Sequence, residues 1–207
     1  NTQFVNAGIT TRYGLAGYER FAGNQVGAPV NSKYVDFTNN ISNITNAIFP
    51  NNLYGSIERG YDAANWARTG FSWSANASKV IILITDEAAN QGSSVTEAQL
   101  GANMTDGGFL LNVITLQSLY SQWDDAVYSK PAPSNYLGLF DLDFLNTNPT
   151  AFTQQLTEAK IGEIIDFCQA NPTAPQCNPN QVPEPGSMAL IGLGLLGMGA
   201  LRRKLKA

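Results

Sequence analysis

The chain has 207 residues, 43% hydrophobic and 14% charged, with 12 Lys and Arg against 16 Asp and Glu, two Cys and no His. Without histidine there is no Ser-His-Asp or Cys-His triad, no His-ligated zinc or haem, and no imidazole working at neutral pH. The net charge of −4 argues against nucleic acid, which is held by clustered Lys and Arg. The length fits one domain plus an appendage. Asn1 is not preceded by a charged and then apolar leader, so a signal peptide is expected to have been removed or to lie upstream.

In chain order, Tyr13–Tyr18 and Lys33–Phe37 read as a short antiparallel pair joined by a Gly- and Asn-rich loop. Ile41, Ile44, Ala47 and Ile48 recur at helical spacing over Ile41–Phe49, and a second helix is expected over Tyr54–Arg68. Val80-Ile-Ile-Leu-Ile84 is an unbroken apolar run of the kind buried on both faces of a parallel sheet, and reads as the central strand. A helix over Thr96–Met104, a strand over Phe109–Leu116, a short helix over Leu119–Tyr128 and a strand over Tyr136–Phe140 follow. A long helix over Pro149–Cys168 closes the body, with Phe152, Leu156, Ala159, Ile164, Ile165 and Phe167 on its apolar face. Strands separated by helices predict an α/β fold with a mostly parallel sheet flanked by helices.

The body, residues 1–169, is followed by a Pro- and Asn-rich linker over 170–181 and a tail over 182–207. Cys168 and Cys177 flank a Pro-rich stretch able to turn back on itself; a local disulfide there implies an oxidising compartment, and two free thiols are the alternative. The tail opens with Val182-Pro183-Glu184-Pro185-Gly186 and continues through sixteen uncharged residues, 186–201, five of them glycine. Such a run is short for a membrane span of about 20 residues, but snorkelling arginines extend it. Arg202, Arg203, Lys204 and Lys206 then hold the end in the cytoplasm, with the body on the far side of the membrane. Residues 1–181 carry 8 basic against 15 acidic groups, a net of −7.

This three-part tail resembles the PEP-CTERM sorting signal of Gram-negative bacteria. The resemblance implies recognition by an exosortase and cleavage near Pro183, Glu184 and Pro185, with Arg202, Arg203 and Lys204 as the basic stop. The hydrophobic helix would then be a transient inner-membrane anchor, and the body would reach the cell surface or the extracellular matrix, a setting associated with exopolysaccharide and biofilm.

Ligands of parallel α/β sheets bind beyond the carboxyl ends of the strands, which here puts Thr85-Asp86-Glu87 forward; two adjacent carboxylates suit a hard cation or a solvated acidic loop. Lys79-Val-Ile-Ile-Leu-Ile-Thr-Asp-Glu87 is similar to the fourth strand of von Willebrand factor A-type domains. The preceding Gly55-Ser-Ile-Glu-Arg-Gly-Tyr-Asp-Ala-Ala64 is similar to the helix that begins after that family's metal-site threonine loop, Arg12–Tyr18 to its second strand and Tyr34–Phe37 to its edge strand. The resemblance implies a Rossmann-like sheet and an adhesion site for Mg²⁺, with Asp86 as the final aspartate and Ser56 as a weak second ligand beside Ile57, which cannot ligate. The family's Asp-x-Ser-x-Ser loop is missing, since no Asp precedes Asp36. The first central strand would therefore be missing too, so Mg²⁺ is expected only if that loop exists upstream. Its absence would leave unpaired edges and a slot in the core.

The function expected is a surface-sorted binding module without catalysis, engaging a matrix protein or polysaccharide. A metal-free structural matrix protein is the alternative, and a glycosidase using Asp124-Asp125 or Asp141 and Asp143 ranks below both. The tryptophans Trp66, Trp73 and Trp123 are expected in the core or at its rim rather than stacked on sugars.

Overall fold

The computed structural model describes residues 2–6, 9–18, 35–46, 58–75, 77–89, 92–130 and 136–173. A short helix α1 (Thr2–Asn6) precedes β1 (Tyr13–Leu15), which pairs antiparallel with β2 (Val35–Thr38). Helix α2 (Ile41–Thr45) is capped by the Asn40 side chain, which accepts from the Ser42 N–H at 3.1 Å. Helix α3 (Gly60–Gly70) buries its first turn, Gly60 to Ala64, and leads to β3 (Lys79–Ile84).

Parallel neighbours need a crossover, and α4 (Glu97–Gly107) supplies it between β3 and β4 (Phe109–Thr115). A capping box starts α4: the Gln99 N–H donates to Thr96 Oγ1 at 3.2 Å, and the Thr96 N–H donates to Gln99 Oε1 at 2.9 Å. Gly108 ends it with φ 64°, a left-handed conformation that glycine adopts without a Cβ penalty, and the chain enters β4 at the next residue. A 3₁₀ turn (Gln117–Gln122), the antiparallel pair β5 (Ser129–Lys130) and β6 (Tyr136–Leu137), then β7 (Leu139–Asp141) follow. Helices α5 (Leu142–Thr147) and α6 (Pro149–Ala170) close the body, α6 starting with Pro149 in its first turn, where a missing N–H costs nothing.

The parallel sheet runs β3-β4-β7. All seven residues of β4 are buried. Side chains alternate across a strand, so Phe109, Leu111 and Val113 join the α3/α4 core around Tyr61, Leu100, Met104 and Trp123. Ile114, on the opposite face, packs with Phe140 and Phe152 under α6. Full burial of an aliphatic side chain such as Leu111 contributes about 1.5–3 kcal/mol, and Leu111 and Trp123 are both 0% exposed.

Several expectations change. The fully buried central strand is β4, not Val80–Ile84: among the described residues β3 pairs on one side only, and Ile82 and Ile84 are 43% and 55% exposed. The helix expected from Tyr54 is seen from Gly60, residues 51–57 lying outside the described set, and α2 buries none of its residues. The run Tyr136–Phe140 is two strands, because Gly138 turns the chain from β5 to β4. A Cβ there would stand 2.7 Å from Asn112 Oδ1 and 2.9 Å from the Leu111 carbonyl oxygen. The inner face of α6 carries Lys160 and Glu163 beside Phe152 and Cys168, where an apolar stripe alone was expected. The Leu119–Tyr128 helix is a 3₁₀ turn ending at Gln122, and Trp123 anchors it. Among the described residues no helix is long and apolar enough to cross a membrane, and the span expected at 186–201 lies outside them.

Candidate functional site

A groove of about 550 Å³ separates β1 from β3, walled by residues 12–18 on one side and 80–86 on the other, with Ala64, Trp66 and Trp73 among its floor. Among the described residues each wall is a strand with one partner: β1 pairs with β2 and β3 with β4.

Asp86 lines the groove at the carboxyl end of β3 and is exposed. Thr85 before it is 5% exposed; its N–H continues the ladder to the Ile114 carbonyl oxygen at 3.0 Å. The Thr85 hydroxyl donates to Glu58 Oε2 at 3.3 Å and accepts from the Glu87 N–H at 3.1 Å. Tyr18 reaches the same end from the β1 side, and its phenol is pushed well above the usual range. Burial is the largest cause, and Glu58, Asp86 and Glu87 act in the same direction, while the hydroxyl of Thr85 opposes them. The sequence pointed to Thr85-Asp86-Glu87; Glu58 and Tyr18 are brought to them by the fold. Ser56 and Ile57 lie outside the described residues.

The other carboxylates serve local structure. Asp141 accepts from the Asp143 N–H at 3.0 Å, capping α5, and from Gln117 Nε2 at 2.8 Å. Asp124 and Asp125 meet Glu97, their nearest oxygens within 4.8 Å of one another. Glu97 accepts from the Asp125 N–H at 2.9 Å and is pushed up, first by burial and then by the two aspartates. Asp62 is 8% exposed and ties α3 to the approach to α4, accepting from the Ser94 N–H at 2.8 Å and its hydroxyl at 2.7 Å. Trp123 is fully buried, its ring 5.0 Å from that of Tyr61, while Trp66 and Trp73 are half-buried against Phe71.

A second polar constellation, with no signal in the sequence pattern, lies behind the sheet. Asn112, in the middle of β4, is 0% exposed; Lys160 and Glu163, one turn apart on α6, are each 3% exposed. Lys160 Nζ donates to Asn112 Oδ1 and to Glu163 Oε1, the latter at 2.5 Å. Asn112 Nδ2 donates to Glu163 Oε2 at 3.1 Å, and the Tyr136 hydroxyl to Glu163 Oε1 at 2.5 Å. Burial lowers the lysine to about 8 despite the opposing pull of Glu163, and burial with Glu163 raises the Tyr136 phenol.

Cys168, 7% exposed on the same helix, is disulfide-bonded; Cys177, the only other cysteine in the chain, lies outside the described residues. So do Pro183, Glu184, Pro185, Arg202, Arg203 and Lys204. No curated protein and no solved structure matches the chain. The tail has an independent match. Residues 181–204 match the PEP-CTERM protein-sorting motif, which marks this chain as an exported protein sorted by exosortase through a membrane-anchored signal.

Proposed function

We propose that residues 1–169 form a non-catalytic binding domain, a partial von Willebrand factor A-type module that the tail delivers to the cell surface or extracellular matrix, where it engages a matrix protein or polysaccharide. The observation that carries this reading is the groove between β1 and β3, which closes at Tyr18, Thr85 and Asp86. The groove runs along β3 to its carboxyl end, where ligands of parallel sheets bind, apolar along its walls and acidic at that end. The order of an antiparallel pair, then β3 running into Thr85-Asp86, then α4 and β4 supports the A-type layout, with the groove in the place of a further strand.

Mg²⁺ enters this reading only through Asp86. Among the described residues the carboxylates close enough to share an ion are Glu97, Asp124 and Asp125, not those around Asp86, so a bridging cation needs ligands beyond them. Binding of the purified protein to the polysaccharide and protein fractions of the bacterial matrix tests the proposal. Saturable binding that weakens several-fold in Asp86→Ala is expected. Unchanged binding in EDTA would refute the cation bridge alone. Absence of binding to both fractions would refute the binding role and leave a purely structural matrix protein.

A further inference from the structure

We propose that Lys160 and Asn112 join in an intramolecular isopeptide bond, with Glu163 carrying the protons. The three side chains are sealed between β4 and α6, each at most 3% exposed. An isolated buried ion pair stabilises a fold little more than apolar residues of the same shape would, yet this one sets an amine directly against a carboxamide. Lys160 Nζ touches Asn112 Oδ1, which is one bond of about 1.2 Å from Cγ, so a small rotation of the amine off the oxygen brings it to the carbon it would attack. Glu163 reaches both nitrogens, Nζ at 2.5 Å through Oε1 and Nδ2 at 3.1 Å through Oε2. The Phe140 ring centroid lies 4.8 Å from Nζ and that of Tyr136 5.9 Å, an aromatic wall that keeps water from the reacting groups.

The step balances without a co-reactant. Lys160 first passes a proton to Glu163, and the neutral amine attacks Cγ of Asn112, pushing the carbonyl electron pair onto Oδ1. Glu163 delivers its proton to Nδ2, the Cγ–Nδ2 bond breaks as the carbonyl reforms, and ammonia leaves. Glu163 then takes the proton that Nζ sheds, leaving a Cγ–Nζ amide; nothing is oxidised or reduced. Burial favours the neutral amine that the attack requires, and holding the groups in contact makes the attack effectively unimolecular. The product would staple α6 to the central strand across 48 residues of sequence. It would restrict the unfolded chain as a disulfide does while remaining resistant to reduction, which suits a protein working outside the cell.

Mass spectrometry of the reduced, denatured full chain tests this. The expected mass is below that of the sequence by about 17 Da, the mass of ammonia. A chymotryptic digest should contain one branched peptide joining Lys160 to Asn112. Glu163→Gln keeps the shape of the carboxylate but cannot hold the proton, and is expected to give separate peptides at full mass. Wild-type protein with Asn112 and Lys160 on separate peptides, whether or not ammonia has been lost elsewhere, would overturn the proposal; this outcome does not depend on whether the variant folds. A branched peptide in Glu163→Gln would overturn the role given to Glu163.

Discussion

Leu83 and Ile84 are neighbours on β3 with opposite surroundings, so truncating each in turn measures how that strand is covered. Leu83 is 6% exposed within the α3/α4 core, whereas Ile84 is 55% exposed beside the groove. Leu83→Ala should cost about 2–5 kcal/mol through lost transfer energy and the cavity left behind. For Ile84→Ala less than half of a full burial energy of about 1.5–3 kcal/mol is at stake, giving a loss of roughly 1 kcal/mol. Urea unfolding followed by the fluorescence of the buried Trp123 reads both. With a slope of about 1–3 kcal/mol per molar urea, the two midpoints should differ by roughly 1 M. Equal losses would refute the reasoning, because they would mean that β3 is buried on both faces and the groove is filled.

Thr96→Ala removes the hydroxyl half of the α4 capping box and should destabilise the body by about 1 kcal/mol in the same assay, with Thr96→Ser close to wild type. Asp36 accepts from the Ser72 hydroxyl at 2.5 Å and the Ser72 N–H at 3.0 Å, which hold its carboxyl below the usual range. A depressed carboxylate contributes stability that is present above its unfolded pKa and is lost as pH falls through its folded value. Ser72→Ala should therefore raise the Asp36 titration seen by NMR toward the ordinary carboxylate range and move the loss of this tether to higher pH.

The order of elements was legible because it rests on period and punctuation. The β-branched run before Thr85 and the helical stretches that start at Thr96 and Pro149 are local signals, and the structure places β3, α4 and α6 close to where they fall. What was not legible depends on neighbours. Nothing within Val80–Ile84 tells how many strands flank it, so the apolar run reads as a central strand although Ile82 and Ile84 are exposed. Nothing in the sequence marks Lys160 and Glu163 as buried, because charged residues seldom are; only the fold brings Asn112 and Tyr136 to them from two other elements. Asp86 was put forward by the strand-end rule, and Tyr18 and Glu58 reach it from distant segments. The tail was the most legible part, since its three-part signal is contiguous.

The most direct test of the central claim, that the tail sorts the body out of the cell, is the C-terminus of the protein recovered from the bacterial surface. Peptide mass mapping of that material is expected to end near Pro183-Glu184-Pro185, with the run 186–201 and the basic cluster missing, and deletion of the exosortase should restore them. Surface protein carrying the chain through Lys206 and Ala207, or protein found only in the cytoplasm, would contradict it.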